Sequence, residues 1–324
     1  MKKFLKRMIL LILVVTTISG LVFRKKISLC YIIAKDVISF KNNIHSYDDL
    51  NFDATEDMDY KNLVYKNTNG TELSLDIYTP LKKVYKTSPV LLYVHGGSWV
   101  YGDKSIPQAI TPILNIFRQN GFTIISTSYE LMREKENFEK QICDVKDSIR
   151  WINKNQTQYN LNADEIGVIG TSSGAHLSLM SAYTSNDEFQ DDPELAKYSS
   201  KVKYVVDFFG PTDLSLLDTS NLNWDLKKIF KSAQYNKDIS YKYNPINYVN
   251  SDIPKTLIIH SKTDSVVPYE SSLRLYNKCI EVTGSAKLVS LDNAVHDLSE
   301  ISSNDVINLS EEVLKFIIKN SPLF

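Results

Sequence analysis

Ile166-Gly167-Val168-Ile169-Gly170-Thr171-Ser172-Ser173-Gly174 decides how this 324-residue chain is read. A short apolar run of branched residues has the make-up of a buried strand. It ends in Gly-x-Ser-x-Gly, the pattern of a nucleophile elbow. A serine turned out of a strand end needs a sharp, strained backbone, and the flanking glycines let strand and helix approach closely. The following segment, 175–183, is predicted to be a helix whose N-terminus favours negative charge beside the serine. With only eleven glycines in the chain, such a pentapeptide arises by chance in roughly one sequence in twenty or thirty, so its weight rests on what surrounds it.

The surroundings alternate. Strands are predicted at 73–78, 90–94, 123–127, 166–169, 204–208, 256–260 and 287–291, each short, apolar and rich in branched residues. Helical spacing marks 105–119, 139–153, 175–183, 269–282 and 305–319, with Gly121 and Gly284 as stops. This is an α/β pattern, predicting a mostly parallel sheet covered by helices on both faces, with the ligand site at the carboxyl ends of the strands. Segment 210–250 breaks the rhythm, being long and polar with Trp224 and Phe230 embedded in it. It reads equally as a lid insertion or as a peripheral excursion.

An acyl-transfer serine needs a base, an acid to orient that base, and N–H donors for the developing oxyanion. Of the five histidines, only His296 follows a candidate acid near the C-terminus, in a polar loop just past 287–291. Asp264 stands on the loop after 256–260 and is the favoured acid, with Asp213 and Asp292 as competitors. His95-Gly96-Gly97-Ser98-Trp99 directly follows the strand at 90–94. Its paired glycines let backbone N–H groups turn inward, so Gly97, Ser98 and Ser173 are the candidate oxyanion donors. Trp99 either walls a substrate pocket or packs the loop. His176 and His260 read as packing and strand-end residues.

From about Leu63 to Phe316 the chain resembles the α/β-hydrolase fold, in particular the esterase/lipase branch with an HGGxW oxyanion loop. The resemblance is carried by 95–104 (HGGSWVYGDK), 144–152 (DVKDSIRWI), Gly174-Ala175-His176-Leu177, 209–214 (FGPTDL) and the DxxVP loop at Asp264. It implies a serine carboxylic-ester hydrolase acting on a small acyl ester through an acyl-enzyme. The catalytic residues implied are Ser172, Asp264 and His296. An arylformamidase-type amidohydrolase, or a non-catalytic hydrolase-fold binding module at a membrane, is the alternative. Three positions depart from the branch. Glu130 replaces the usual Arg, so that a structural ion pair is expected to be rearranged; Ser261 replaces a Gly; and Ser173 replaces an Ala.

Composition narrows the function classes. Residues 1–41 carry nine Lys/Arg against a single acid, leaving a body with a net charge of about −9, a poor match for nucleic acid. Cys30, Cys143 and Cys279 suggest neither a disulfide framework nor a zinc site, and no cofactor signature is present. Basic residues followed by the uncharged run 8–23 have the layout of a signal anchor, favoured here over a cleaved peptide. The expected organisation is thus an anchor at 1–26, a linker at 27–59 and a hydrolase domain at 60–324, membrane-attached by a single pass with the catalytic domain outside the cytoplasm.

Overall fold

The computed structural model describes residues 58–217 except Asn69, then 237–284, 286–296, Leu298 and 301–320, besides scattered single positions. Nearly all of the expected anchor and of the linker lie outside the described residues, as do Trp224 and Phe230. No helix among the described residues is long and apolar enough to cross a membrane.

Among the described residues eight strands form one sheet: β1 (Tyr60–Thr68), β2 (Thr71–Tyr78), β3 (Ser88–Val94), β4 (Thr123–Thr127), β5 (Leu161–Thr171), β6 (Tyr204–Phe208), β7 (Lys255–Ser261) and β8 (Ala286–Leu291). Their spatial order is β1-β2-β4-β3-β5-β6-β7-β8. β2 runs antiparallel to both β1 and β4, and every pairing from β4 to β8 is parallel. Parallel neighbours need crossover connections, which α1 (Thr111–Gln119), α2 (Phe138–Asn155), α3 (Ser173–Tyr183) and α5 (Tyr269–Thr283) supply; α6 (Ser303–Asn320) closes the described chain. Alternate side chains of a strand face opposite sides, so the central strands feed two cores. Leu91, Tyr93, Ile169, Val206 and Ile259 meet α1 and α6 on one face. Val90, Leu92, Val94 and Val168 meet α2 and α3 on the other.

Strand β1 is a feature that the sequence pattern did not predict. Helix α1 begins at Thr111 rather than near residue 105, because Pro112 is tolerated only in the first turn, where its missing N–H costs no bond. In the insertion, a 3-10 turn (Leu214–Leu216), helix α4 (Lys237–Lys242) and a second 3-10 turn (Pro245–Tyr248) flank the stretch 218–236. The two flanks are tied together by Leu214 N–H donating to Asn244 Oδ1 at 2.7 Å.

A buried ion-pair cluster lies beside Glu130. Asp144 and Asp147 on α2 are fully buried and meet Lys66 Nζ from β1 at 2.9 and 2.6 Å. Arg150 reaches Asp147 at 2.8 Å, and Lys140 reaches Asp144 at 2.5 Å. Glu130 carries no charge into this cluster; its backbone N–H donates to Asp144 Oδ2 at 3.0 Å.

Candidate active site

Strand β5 hands over to α3 at Ser172, whose φ of 52° and ψ of −121° place it in a strained left-handed conformation. The glycines around it are needed for close approach. A Cβ on Gly170 would sit 2.5 Å from the Gly174 carbonyl oxygen, and one on Gly174 would sit 2.2 Å from that of Val94. The strained residue is held by its own N–H, which donates to the Phe208 carbonyl at 2.9 Å, and by His176 N–H, which donates to the Ser172 carbonyl at 3.1 Å.

Three loops at the carboxyl ends of β5, β7 and β8 converge here. Ser172 Oγ lies 2.8 Å from His296 Nε2, and His296 Nδ1 lies 2.7 Å from Asp264 Oδ2. The other carboxylate oxygen of Asp264 accepts Val266 N–H and Val267 N–H at 2.8 and 2.9 Å. Burial alone would push the Asp264 carboxyl up. The hydrogen bonds from His260 and His296 outweigh it and hold the group well below the usual carboxylate range. With Asp264 accepting, Nδ1 carries the imidazole proton and Nε2 is left as the acceptor for the serine hydroxyl. Phe209, at the end of β6 between the acid and nucleophile strands, sets its ring 4.8 Å from that of His296.

The oxyanion loop follows β3. Gly97 takes φ 121° and Ser98 φ 53°, and a Cβ on Gly97 would lie 2.1 Å from the Tyr101 carbonyl oxygen. The Gly97 carbonyl is turned back to accept Val100 N–H and Tyr101 N–H at 3.1 and 2.8 Å. Gly97 and Ser98 line one cavity with Ser172 and His296. Ser173 opens α3, where first-turn N–H groups have no intrahelical acceptor. The cavity measures about 400 Å³, and Tyr93, Ile110, Phe209 and Val266 give it apolar walls beside the polar Asp103, Ser105 and Thr171.

The remaining candidates lie elsewhere. Trp99, considered as a pocket wall, does not line this cavity. Its indole is 3% exposed, edge-on to Phe138 and His176, and its Nε1–H donates to His176 Nδ1 at 3.2 Å. His176 in turn donates from Nε2 to the Tyr243 carbonyl at 2.7 Å, which stitches the oxyanion loop to the insertion. Asp213 accepts from Ser215 N–H and Asn244 Nδ2 as a turn cap, and Asp292 pairs with Lys262 at the surface. Two neighbours, read from the sequence only as a strand-end residue and as a departure from a glycine, adjoin the triad. His260 Nε2 lies 3.3 Å from Asp264 Oδ2, the oxygen that also faces His296, and the Ser261 hydroxyl accepts Ala294 N–H at 3.1 Å. Only the spacing His260-Ser261-x-x-Asp264 hinted at either. No group of three or more metal-ligating side chains occurs among the described residues.

The BD-FAE family profile matches residues 75–279, more than half of the chain and all of the segment from β2 to α5 except its ends. The chain belongs to the BD-FAE family. It is 28% identical over 234 residues to esterase LipQ of Mycobacterium tuberculosis (70% of this chain, 54% of the relative), and 28% identical to esterase LipC of the same organism (61% and 50%). It thus spans about half the length of these curated relatives. A truncated carbohydrate esterase from gut microbiota superposes with a TM-score of 0.68 at 25% identity, over 82% of this chain and 98% of its own. Esterase 2 of Thermogutta terrifontis, solved with propionate, superposes at 0.65 with 20% identity, over 82% and 96%. The fold of this family member is therefore the α/β-hydrolase fold.

Proposed function

We propose that this chain hydrolyses carboxylic esters by way of an acyl-enzyme on Ser172. The observation that carries the reading is the hydrogen-bonded line from Ser172 Oγ through His296 to Asp264, opening on a largely apolar cavity. The esterase names of the relatives support it.

Neutral His296 accepts the Ser172 proton at Nε2 as Oγ bonds to the ester carbonyl carbon. Asp264 keeps the imidazole in its Nδ1–H form and stabilises the imidazolium. The carbonyl oxygen, now negative, takes hydrogen bonds from the N–H groups of Gly97, Ser98 and Ser173 at the positive end of α3. Collapse expels the alkoxide, which leaves with the proton carried by His296. Water then attacks the acyl-enzyme with His296 again as base, releasing the carboxylic acid and restoring Ser172.

Ser172→Ala is expected to lower kcat for a short-chain p-nitrophenyl ester by about a thousandfold or more and to abolish labelling by a fluorophosphonate probe. Because the base acts neutral, the rate falls as the medium is made acid. Undiminished hydrolysis by Ser172→Ala rejects the assignment, and a panel of matched esters and N-formyl amides ranks ester against amide hydrolysis.

For localisation we propose that residues 1–26 anchor the chain with the hydrolase domain outside the cytoplasm. Externally added protease should then degrade the domain on intact cells, and a domain left uncut rejects that topology.

A further inference from the structure

Behind the proposed triad lies a fully buried histidine that the reaction just described does not use. His260 is the penultimate residue of β7. Its Nδ1 is 2.7 Å from Ser272 Oγ on α5, and its Nε2 is 2.9 Å from the Val267 carbonyl oxygen and 3.3 Å from Asp264 Oδ2. A carbonyl oxygen only accepts, so Nε2 carries the proton, and the bare Nδ1 accepts the Ser272 hydroxyl. The Val267 carbonyl therefore fixes the tautomer, and the fully buried Ser272 holds the ring through Nδ1. Asp264 then receives four donors: two backbone N–H groups on Oδ1, and His296 Nδ1–H with a share of His260 Nε2–H on Oδ2.

We propose that His260, locked in its Nε2–H form by the Val267 carbonyl and anchored at Nδ1 by Ser272, is a positioning residue that fixes the Asp264 carboxylate in the orientation presenting Oδ2 to His296. This rests on the reading of Ser172, His296 and Asp264 as the triad. The backbone donors on Oδ1 leave the carboxylate free to tilt about the Oδ1 side, and a second donor on Oδ2 removes that freedom. Four donors also supply the hydrogen bonding that a fully buried carboxylate needs to stay ionised. The groups facing His260 are Asp264, Ser272, the Val267 carbonyl, the edge-on ring of Tyr269 at 5.9 Å, and Asp207 from β6, close enough to interact through its charge.

Two consequences separate positioning from packing. A tilted carboxylate misaligns the base and lowers kcat, while the cavity and hence KM stay nearly constant. Losing a donor dipole also makes the site more negative. The acid limb of the kcat/KM profile then moves up.

The test compares His260→Leu, His260→Gln and Ser272→Ala with the parent and with Ser172→Ala, using short-chain p-nitrophenyl ester hydrolysis from acid to neutral pH, fluorophosphonate labelling rates and thermal melts. His260→Leu should lower kcat about a hundredfold with KM within about twofold, shift the acid limb upward and slow labelling. His260→Gln, whose amide N–H reaches the Nε2 position, should restore most of both. Ser272→Ala removes the hydroxyl that holds the ring at Nδ1 and should give a smaller change of the same sign, which decides the matter should the leucine variant fail to fold. Folded His260→Leu or Ser272→Ala protein with parental kcat and an unmoved acid limb overturns the proposal, as does a glutamine variant as damaged as the leucine one. If Ser172→Ala stays active, the triad reading fails and this inference with it; if Ser172→Ala is dead while the His260 and Ser272 variants are unchanged, this inference alone fails.

Discussion

Ser261 replaces a glycine that the esterase/lipase branch usually carries, and its hydroxyl has work in the fold that a glycine lacks. The oxygen accepts Ala294 N–H at 3.1 Å and Thr263 N–H at 3.3 Å, so one side chain ties the loop of Asp264 to the loop of His296. Ala294 is two residues before His296. Ser261→Gly removes that tie and leaves a buried N–H without its acceptor, a loss of about 1–3 kcal/mol. The expected result is a three- to tenfold fall in kcat with KM unchanged, measured by steady-state ester hydrolysis. A parental kcat in the folded variant would show that the loops are aligned without it. Ser172 and His296 were legible because each sits in a local pattern, a Gly-x-Ser-x-Gly turn and a polar loop at the right place in the order. The contacts of His260 with Ser272 on α5 and of Ser261 with Ala294 were not, since they reach another element, and no local pattern encodes a contact across 33 residues.

At the scale of elements, β1 escaped the sequence reading for a physical reason. It is an edge strand, paired only with β2, and its register shifts between Tyr60 and Leu63 and between Val64 and Lys66. Those irregularities break the period-two alternation on which strand recognition depends; in YKNLVYKNT the buried residues are the adjacent pair Tyr65 and Lys66. Its contribution is therefore electrostatic as much as apolar. Burial alone would lower the Lys66 ammonium, but Asp144 and Asp147 outweigh this and hold it well above its ordinary range. Lys66→Met leaves those two buried carboxylates short of a cation, which should cost about 3–5 kcal/mol in urea denaturation at pH 7.5. The deficit should shrink at pH 5. Burial pushes the Asp147 carboxyl up to about 6 even against Lys66, so in acid a proton replaces the missing cation. A loss below about 1 kcal/mol at pH 7.5 would mean that Lys140 and Arg150 suffice for the cluster.

For the molecule as a whole, the alternation of strands and helices was legible, and with it the parallel sheet and the end of the sheet where the site lies. The spatial order of the strands was not, because it depends on which crossovers pack against which face. That packing also buries groups whose titration spans the fold. Burial pushes the imidazoles of His95 and His176 down to about 4 from 6.5, while burial pushes the fully enclosed Asp207 carboxyl up to about 7 from 3.8. Between pH 6.5 and 4 the unfolded chain takes up the histidine protons and the folded chain does not, so stability falls as pH falls, by up to about 3 kcal/mol for each histidine. Asp207 acts in the opposite sense. Between pH 3.8 and 7 the folded chain binds its proton and the unfolded chain does not, so that contribution, up to about 4 kcal/mol, is present in acid and lost as pH rises through 7. Asp207 therefore offsets much of the acid sensitivity of the two histidines. Asp207→Asn removes the offset. The variant should melt above the parent at pH 8, where the parent has a buried carboxylate with one oxygen lacking a partner. The gap should close as pH approaches 4. Calorimetry of both proteins across this range measures the difference directly, with the histidine and Asp147 contributions common to both, and a gap independent of pH would contradict the assignment to Asp207.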